Sequence, residues 1–395
     1  MQIPTSYPII VHSHLRWDWV WQRPQQFLSR LSKRHRILFV EGPQHLEGIE
    51  TPQVTLHHPA EFPNITIMQS VLPQARYSDG AWVDAERYRL VKEVLNGPLA
   101  HKFDHPVQWF YDPMATVAFA GKMNETAIVY DCMDELSQFK GAPAELINRE
   151  RFLLSLADVV FTGGRKMYES KSRYNRNCHF YGCGVDVQHF GKARASQTVV
   201  PADIADLPKP VLGYFGVVDE RMDYELLAKL AEANPQWSIV MVGPRCKVEE
   251  SELPQRPNIH WLGGRNYADL PAYAKGFDMC MMPFALNAAT EYINPTKALE
   301  YMATGKPIVS SAVPDVVSNF SQVVKVASGH EEFIALCQAA IAQLDQVAVE
   351  RGQKMAEANT WDAIVAKLEK HIADVFTSKS ALRDRDEAVA QAKLA

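Results

Sequence analysis

Asn294-Pro295-Thr296-Lys297-Ala298-Leu299-Glu300-Tyr301-Met302-Ala303-Thr304-Gly305-Lys306-Pro307-Ile308-Val309 combines a helix start, a helix stop and two oddly placed charges. Asn294 is a strong N-cap residue and Pro295 suits the first helical position, so the spacing predicts a helix over Pro295–Thr304. Gly305 fits the left-handed residue after a last turn, and Lys306-Pro307 then feeds a buried strand, Ile308-Val309. The unpaired backbone N–H groups of a first helical turn already carry partial positive charge. A cation at Lys297 is unfavourable there unless an anion faces it, and a phosphate resolves the conflict. Glu300 lies three residues on, hence on nearly the same face, where a carboxylate can accept hydrogen bonds from the vicinal hydroxyls of a ribose. Phosphate and ribose together imply a nucleotide, held by Lys297 and Glu300 with Asn294 and Thr296 at the helix start. The plainer alternative is a solvated Lys297–Glu300 ion pair.

Working outward, short β-rich runs alternate with helical patterns along the chain, the mark of an α/β protein with parallel sheets and crossover helices. In the first half the candidate strands are Ile9–Val11, Ile37–Val40, Val107–Phe110, Ala127–Tyr130, Val159–Phe161 and His179–Tyr181. Helices are expected near Pro24–Leu31, Ala85–Leu95, Ala144–Ala157 and Arg165–Arg173. A second series runs through Val211–Gly216, Ile239–Val242, Ile259–Leu262, Met279–Met282 and Ile308–Val309. Between the two, Gly191–Pro210 has the Ala, Gln and Pro content of a linker. The expected layout is one domain over 1–195, a linker at 196–209 and a second, doubly wound domain over 210–358. A helix at 359–377 and a polar tail at 378–395, expected to fray, complete it.

Composition narrows the function. The chain has 395 residues, 47% hydrophobic and 22% charged, enough for two ordinary cores, and a net charge of −5 without a basic stripe for nucleic acid. No run approaches the roughly 18 apolar residues of a membrane span, and the opening residues lack the pattern of a signal peptide, so a cytoplasmic location is expected. The six cysteines have no paired C-x-x-C spacing and are expected to be reduced packing thiols. Neither a metal site nor a bound cofactor is expected. The basic run Arg30–Arg36 fits either a solvated helix end or contact with an anionic membrane surface.

Further candidates sit where strands should end, the edge at which open α/β sheets bind ligands. Gly213-Tyr214-Phe215-Gly216 lets backbone N–H groups approach a phosphate, and Arg221 is a second phosphate cation near the next helix start. Gly243 and Arg245 follow the next strand. Asn287 and Thr290 lie in the loop before the Pro295–Thr304 helix, where capping is an equal explanation. In the first half, His14, Trp17, Trp19, Trp21 and Arg23 follow the first strand. Indole faces suit the C–H surfaces of sugars, although alternating tryptophans also pack cores. Asp131 and Asp134, after the strand Ala127–Tyr130, are the best carboxylate pair for an acceptor hydroxyl or the reacting centre; loop anchoring and turn capping are the competing account.

The 294–309 stretch resembles the donor-site motif of retaining GT-B glycosyltransferases, glycosyltransferase family 4 and its relatives, in the variant where Asn-Pro-x-Lys precedes Glu-Tyr and a Gly-Lys-Pro turn. Trp17 through Pro24, with Gln22, Arg23 and Pro24 in place, is similar to the Trp-x-x-x-Gln-Arg-Pro opening of polysaccharide-assembly members. Cys183-Gly184-Val185-Asp186 with Phe190 resembles the family's Asn-Gly-Val-Asp-x-x-x-Phe, with Cys183 in place of asparagine. Many members carry a second glutamate eight positions before the ribose-binding one; Tyr292 stands there, with Glu291 beside it. The resemblance implies two Rossmann-like domains facing a cleft, the second holding a nucleotide-sugar donor, and a C-terminal helix crossing back to the first. It implies sugar transfer with retention to a glycan or lipid-linked acceptor, without a metal, with Gly243 and Arg245 near the base and Asn287 and Thr290 facing the donor sugar. A nucleotide-sugar 2-epimerase or an inactive nucleotide-sugar-binding protein would share the architecture. An NAD-dependent oxidoreductase is disfavoured because no G-x-G-x-x-G follows a leading strand.

Overall fold

The computed structural model describes residues 6–288, 290–293 and 295–394. It contains two compact units, one made of Met1–Gly163, Met167–Tyr181 and Asp362–Ala395, the other of Gly164–Lys166 and Gly182–Trp361.

The first unit is built on nine strands: β1 Ile9–Ser13, β2 Ile37–Glu41, β3 Gln44–Leu46, β4 Gln53–His57, β5 Ile65–Pro73, β6 Val107–Phe110, β7 Ala127–Cys132, β8 Val159–Thr162 and β9 Cys178–Phe180. Their order is β3-β5-β2-β1-β6-β7-β8-β9, with β4 antiparallel on β5 and every other pairing parallel. β1, β2, β6, β7 and β8 are buried at every position, which is why they read as near-continuous apolar runs. The β3–β4–β5 edge is less apolar along β3 and β4 and was not anticipated.

The second unit carries β10 Val211–Phe215, β11 Ser238–Val242, β12 Ile259–Gly263, β13 Met279–Met282, β14 Ile308–Ser311 and β15 Lys325–Ala327. All pairings are parallel and the order is β12-β11-β10-β13-β14-β15. This is the doubly wound order whose direction reverses between its first and fourth strands, β10 and β13, opening a crevice at their carboxyl ends.

Three expectations about layout change. The segment expected as a linker, 196–209, packs on the second unit: Ile204 is buried, Lys275 Nζ donates to the Ala195 carbonyl at 2.6 Å, and Gly276 faces Val200 and Ile204. The final helix runs Trp361–Leu394, well past the boundary expected at 377, through a stretch rich in good helix formers. The basic run Arg30–Arg36 partly serves to dock that helix on the first unit. Arg30 pairs with Asp362 at 3.0 Å, Arg34 with Glu369, and the His35 ring meets Glu369 at 3.0 Å. No single helix among the described residues is long and apolar enough to cross a membrane.

Candidate functional site

The helix predicted over Pro295–Thr304 is present as Thr296–Thr304, with Pro295 extended at the N-cap position, one residue later than expected. Asn294 lies outside the described residues. Gly305 adopts φ 75°, the left-handed stop its type suggested. The helix is tied to the sheet by Tyr301, which the sequence reading passed over. Its buried hydroxyl accepts from the Phe215 N–H at 3.0 Å, at the end of β10, and its ring meets the Phe215 ring edge-on. The available signal was its spacing: Tyr301 falls one turn after Lys297 on the inward side, and a buried tyrosine hydroxyl requires a partner.

That anchor sets the first helical turn over the glycines that end β10 and β11. Gly216 has φ 150° and Gly243 φ 156°, a region side chains rarely adopt. A Cβ on Gly216 would lie 2.5 Å from Lys297 Cε, and one on Gly243 would collide with the Gly216 carbonyl oxygen. Lys297 therefore stretches across bare backbone. Among the described residues its ammonium makes no ion pair or hydrogen bond, so the Lys297–Glu300 contact pair does not form. Glu300 is 8% exposed, and its carboxylate likewise has no hydrogen-bond partner among the described residues. Burial pushes its pKa up to about 7, with the Lys297 charge pulling the other way. A half-buried cation lies against the Gly216 backbone at the carboxyl end of β10, with a buried carboxyl three residues further along the helix, and neither has a hydrogen-bond partner among the described residues. Thr296 donates to the Cys183 sulfur at 2.9 Å.

The other donor-side candidates are more committed. Asp219, 7% exposed, grips the Arg221 guanidinium through Nε and Nη2 at 3.0 and 2.7 Å and accepts the Arg221 N–H at 3.0 Å. Asp219 is a second residue that sequence reasoning missed, since a two-residue spacing in a loop carries no periodic signal. Arg245 meets Glu250 at 3.2 Å on the surface. Asn287 Oδ1 accepts the Thr290 N–H and Thr290 Oγ1 accepts the Asn287 N–H, both at 3.0 Å, so the two residues close their own loop. This is the capping arrangement weighed against sugar contact.

On the first unit the structure brings Arg23 and Asp131 together. Arg23 Nη2 is 2.8 Å from Asp131 Oδ1 and Nε 3.0 Å from it, with the side chains 5% and 0% exposed. Arg23 also donates to the Tyr181 carbonyl at 2.7 Å and lies over the Phe27 ring. Burial raises the Asp131 pKa, opposed by Arg23. Asp131 was a candidate for the reacting centre and Arg23 for the acceptor; here each is the other's buried partner. Asp134 is half-buried and stands outside the pair. Trp17 is 4% exposed and packs edge-on against Phe39, Phe62 and Trp21, so its indole belongs to the core, whereas Trp19 is 47% exposed. His14 Nδ1 lies 3.2 Å from the Tyr111 carbonyl oxygen, beside the ends of β1 and β6.

With this geometry in place, comparison with known proteins defines a class. Residues 209–344 match the family model described as Glycosyl transferases group 1. A Bacillus subtilis protein named as a teichuronic acid biosynthesis glycosyltransferase, TuaH, is 27% identical over 168 residues, 41% of this chain and 42% of that relative. The match thus spans less than half the relative's length. Sucrose-phosphate synthase from Thermosynechococcus elongatus gives a TM-score of 0.68 at 16% identity, covering 94% of this chain and 100% of its own. Anabaena HepE, solved with UDP and glucose, gives 0.65 at 14% identity, covering 93% and 100%. The chain has the GT-B fold.

Proposed function

We propose that the protein is a glycosyltransferase that moves a sugar from a nucleoside diphosphate to a hydroxyl of a glycan or lipid-linked acceptor, with retention, in cell-surface polysaccharide synthesis. The observation that carries this reading is the unpaired Lys297 ammonium lying over Gly216, one helical turn from the unpartnered Glu300 carboxyl. A diphosphate against Lys297 and the Thr296–Thr304 helix start would neutralise the cation, and a ribose diol would donate to Glu300. Arg221, held by Asp219, is the second phosphate cation. Gly243 and Arg245 lie toward the base, and Asn287 and Thr290 toward the donor sugar. In the reaction the anomeric carbon–phosphate oxygen bond breaks and an acceptor oxygen–carbon bond forms on the same face. The departing diphosphate takes the acceptor proton. Stabilisation of the leaving charge by Lys297 and the helix dipole needs no metal. Exposed Trp19, His14 and half-buried Asp134 are the acceptor-side candidates, and Arg23 fixes the end of β7 at Asp131. HepE's bound UDP makes uracil the first base to try.

The test is product analysis. The protein is incubated with UDP-sugars and a panel of glycan and lipid-linked acceptors, and NMR follows the new anomeric signal. Acceptor-dependent UDP release with an α-linked product from an α-linked donor supports the proposal. A C2-epimerised nucleotide sugar formed without acceptor would replace it with the epimerase reading, and nucleotide-sugar binding without turnover would leave a binding protein.

A further inference from the structure

The second unit has a cavity of about 480 Å³ at the sheet edge opposite the glycines, where Lys306-Pro307 enters β14. Val323, Leu336, Ala340 and Val349 form apolar walls between the His330–Ala342 and Gln346–Ala358 helices and the sheet. Two large apolar side chains at the mouth are left in solvent, Leu344 at 52% and Val347 at 66% exposed. Such residues, placed side by side at the rim of an apolar hollow, cost hydration free energy unless something covers them.

The charges are unbalanced. Lys306 lines the cavity half-buried, and its Nζ reaches only the Lys275 carbonyl, at 3.3 Å. No carboxylate lies within ion-pair distance of it among the described residues. Burial holds its pKa below the ordinary lysine range, with Lys209 and Lys275 adding to the effect and Asp278 opposing it. The second cation, Lys325, sits 3.5 Å from Asp345, whose other oxygen already caps the next helix at Ala348. An apolar hollow lined by one lysine without a carboxylate partner and by a second that is weakly engaged matches a hydrocarbon chain ending in an anion.

We propose that this cavity binds a single-chain amphiphile with a phosphate or carboxylate head, the head at Lys306 and Lys325 and the chain along Leu336, Ala340 and Val349 beneath Leu344 and Val347. The head then lies just past Gly305, at the opposite end of the Thr296–Thr304 helix from Lys297. The site is independent of the reading of the donor site.

The experiment is calorimetric titration of the full chain with decyl phosphate below its micellar concentration, beside decyl glucoside, in the parent and in Lys306→Gln and Ala340→Trp. A flotation arm uses phosphatidylcholine vesicles with and without phosphatidylglycerol, and circular dichroism verifies folding of each variant. The expected result is saturable one-to-one binding of decyl phosphate, at least tenfold weaker in both variants and at least tenfold tighter than decyl glucoside. Binding of the free amphiphile without flotation assigns a soluble ligand. Flotation on anionic vesicles alone, lost in both variants, assigns a bilayer lipid. Absence of saturable binding in both arms by folded protein, or binding unchanged in Lys306→Gln, overturns the proposal.

Discussion

Glu300 is the residue whose chemistry departs most from its type. Its carboxyl is raised from the ordinary 4.5 to about 7, so the folded state holds a proton that the unfolded chain releases. Stability from the protonated form is therefore complete below about pH 4.5 and is lost as pH rises to about 7; above that the buried carboxylate costs about 3 kcal/mol. Glu300→Gln is expected to match the parent in urea denaturation near pH 4 and to exceed it at pH 8, and equal curves at both pH values would remove the claim. The Arg23–Asp131 pair carries the opposite expectation. Asp131→Asn leaves a buried guanidinium without its countercharge and should cost about 3–5 kcal/mol, read from the denaturation midpoint. Lys297 and Glu300 were legible in the sequence because helix start, stop and charge placement are local signals. The Arg23–Asp131 pairing was not, because its partners are 108 residues apart and meet only when β7 and the helix after β1 are placed. Trp17 and Trp19 show the same limit: both are tryptophans in one loop, and only the position of Phe39 and Phe62 decides which is covered.

Among the elements, the Thr296–Thr304 helix and the ends of β10 and β11 act as one device. Tyr301 pins the helix to Phe215, and the glycines give Lys297 room. Tyr301→Phe should cost about 1 kcal/mol for the lost hydrogen bond and leave Phe215 N–H unsatisfied. Gly243→Ala should cost more, since it adds backbone strain to a collision with the Gly216 carbonyl; thermal unfolding of both variants gives the order. A Gly243→Ala protein as stable as Tyr301→Phe would show that the loop yields freely. Continuous apolar strands such as β10, β11 and β13 were readable because they are buried throughout, and such strands carry a run rather than an alternation. β3, β4 and β15 are short or partly exposed, so their sequences carry little hydrophobic pattern.

For the molecule as a whole, the chain leaves the first unit after Tyr181 and returns to it at Asp362. The returning helix buries Leu368 and Ile372 completely and Val375 and Phe376 nearly so. At about 1.5–3 kcal/mol for each large apolar side chain, their removal approaches the whole stability of a domain, about 5–15 kcal/mol. A chain ending at Trp361 is therefore expected to lose the first unit while keeping the second. Brief proteolysis should degrade residues 6–181 and leave a resistant fragment beginning near Gly182; equal resistance of both regions would contradict this. The two-series layout was visible in the alternation of strands and helices, but the helix's return to the first unit is a long-range contact that the resemblance, not the pattern, supplied.

Calorimetric titration with UDP tests the proposed nucleotide site at Lys297 and Glu300 most directly. The parent should bind one equivalent. Lys297→Ala should weaken binding about 10–100-fold through loss of a charge-assisted phosphate contact. Glu300→Gln should weaken it several-fold at pH 8 and hardly at all at pH 5.5, where the parent's Glu300 is itself protonated. Binding by the folded parent that is unchanged in both variants, or no binding of any nucleoside diphosphate, would contradict the account.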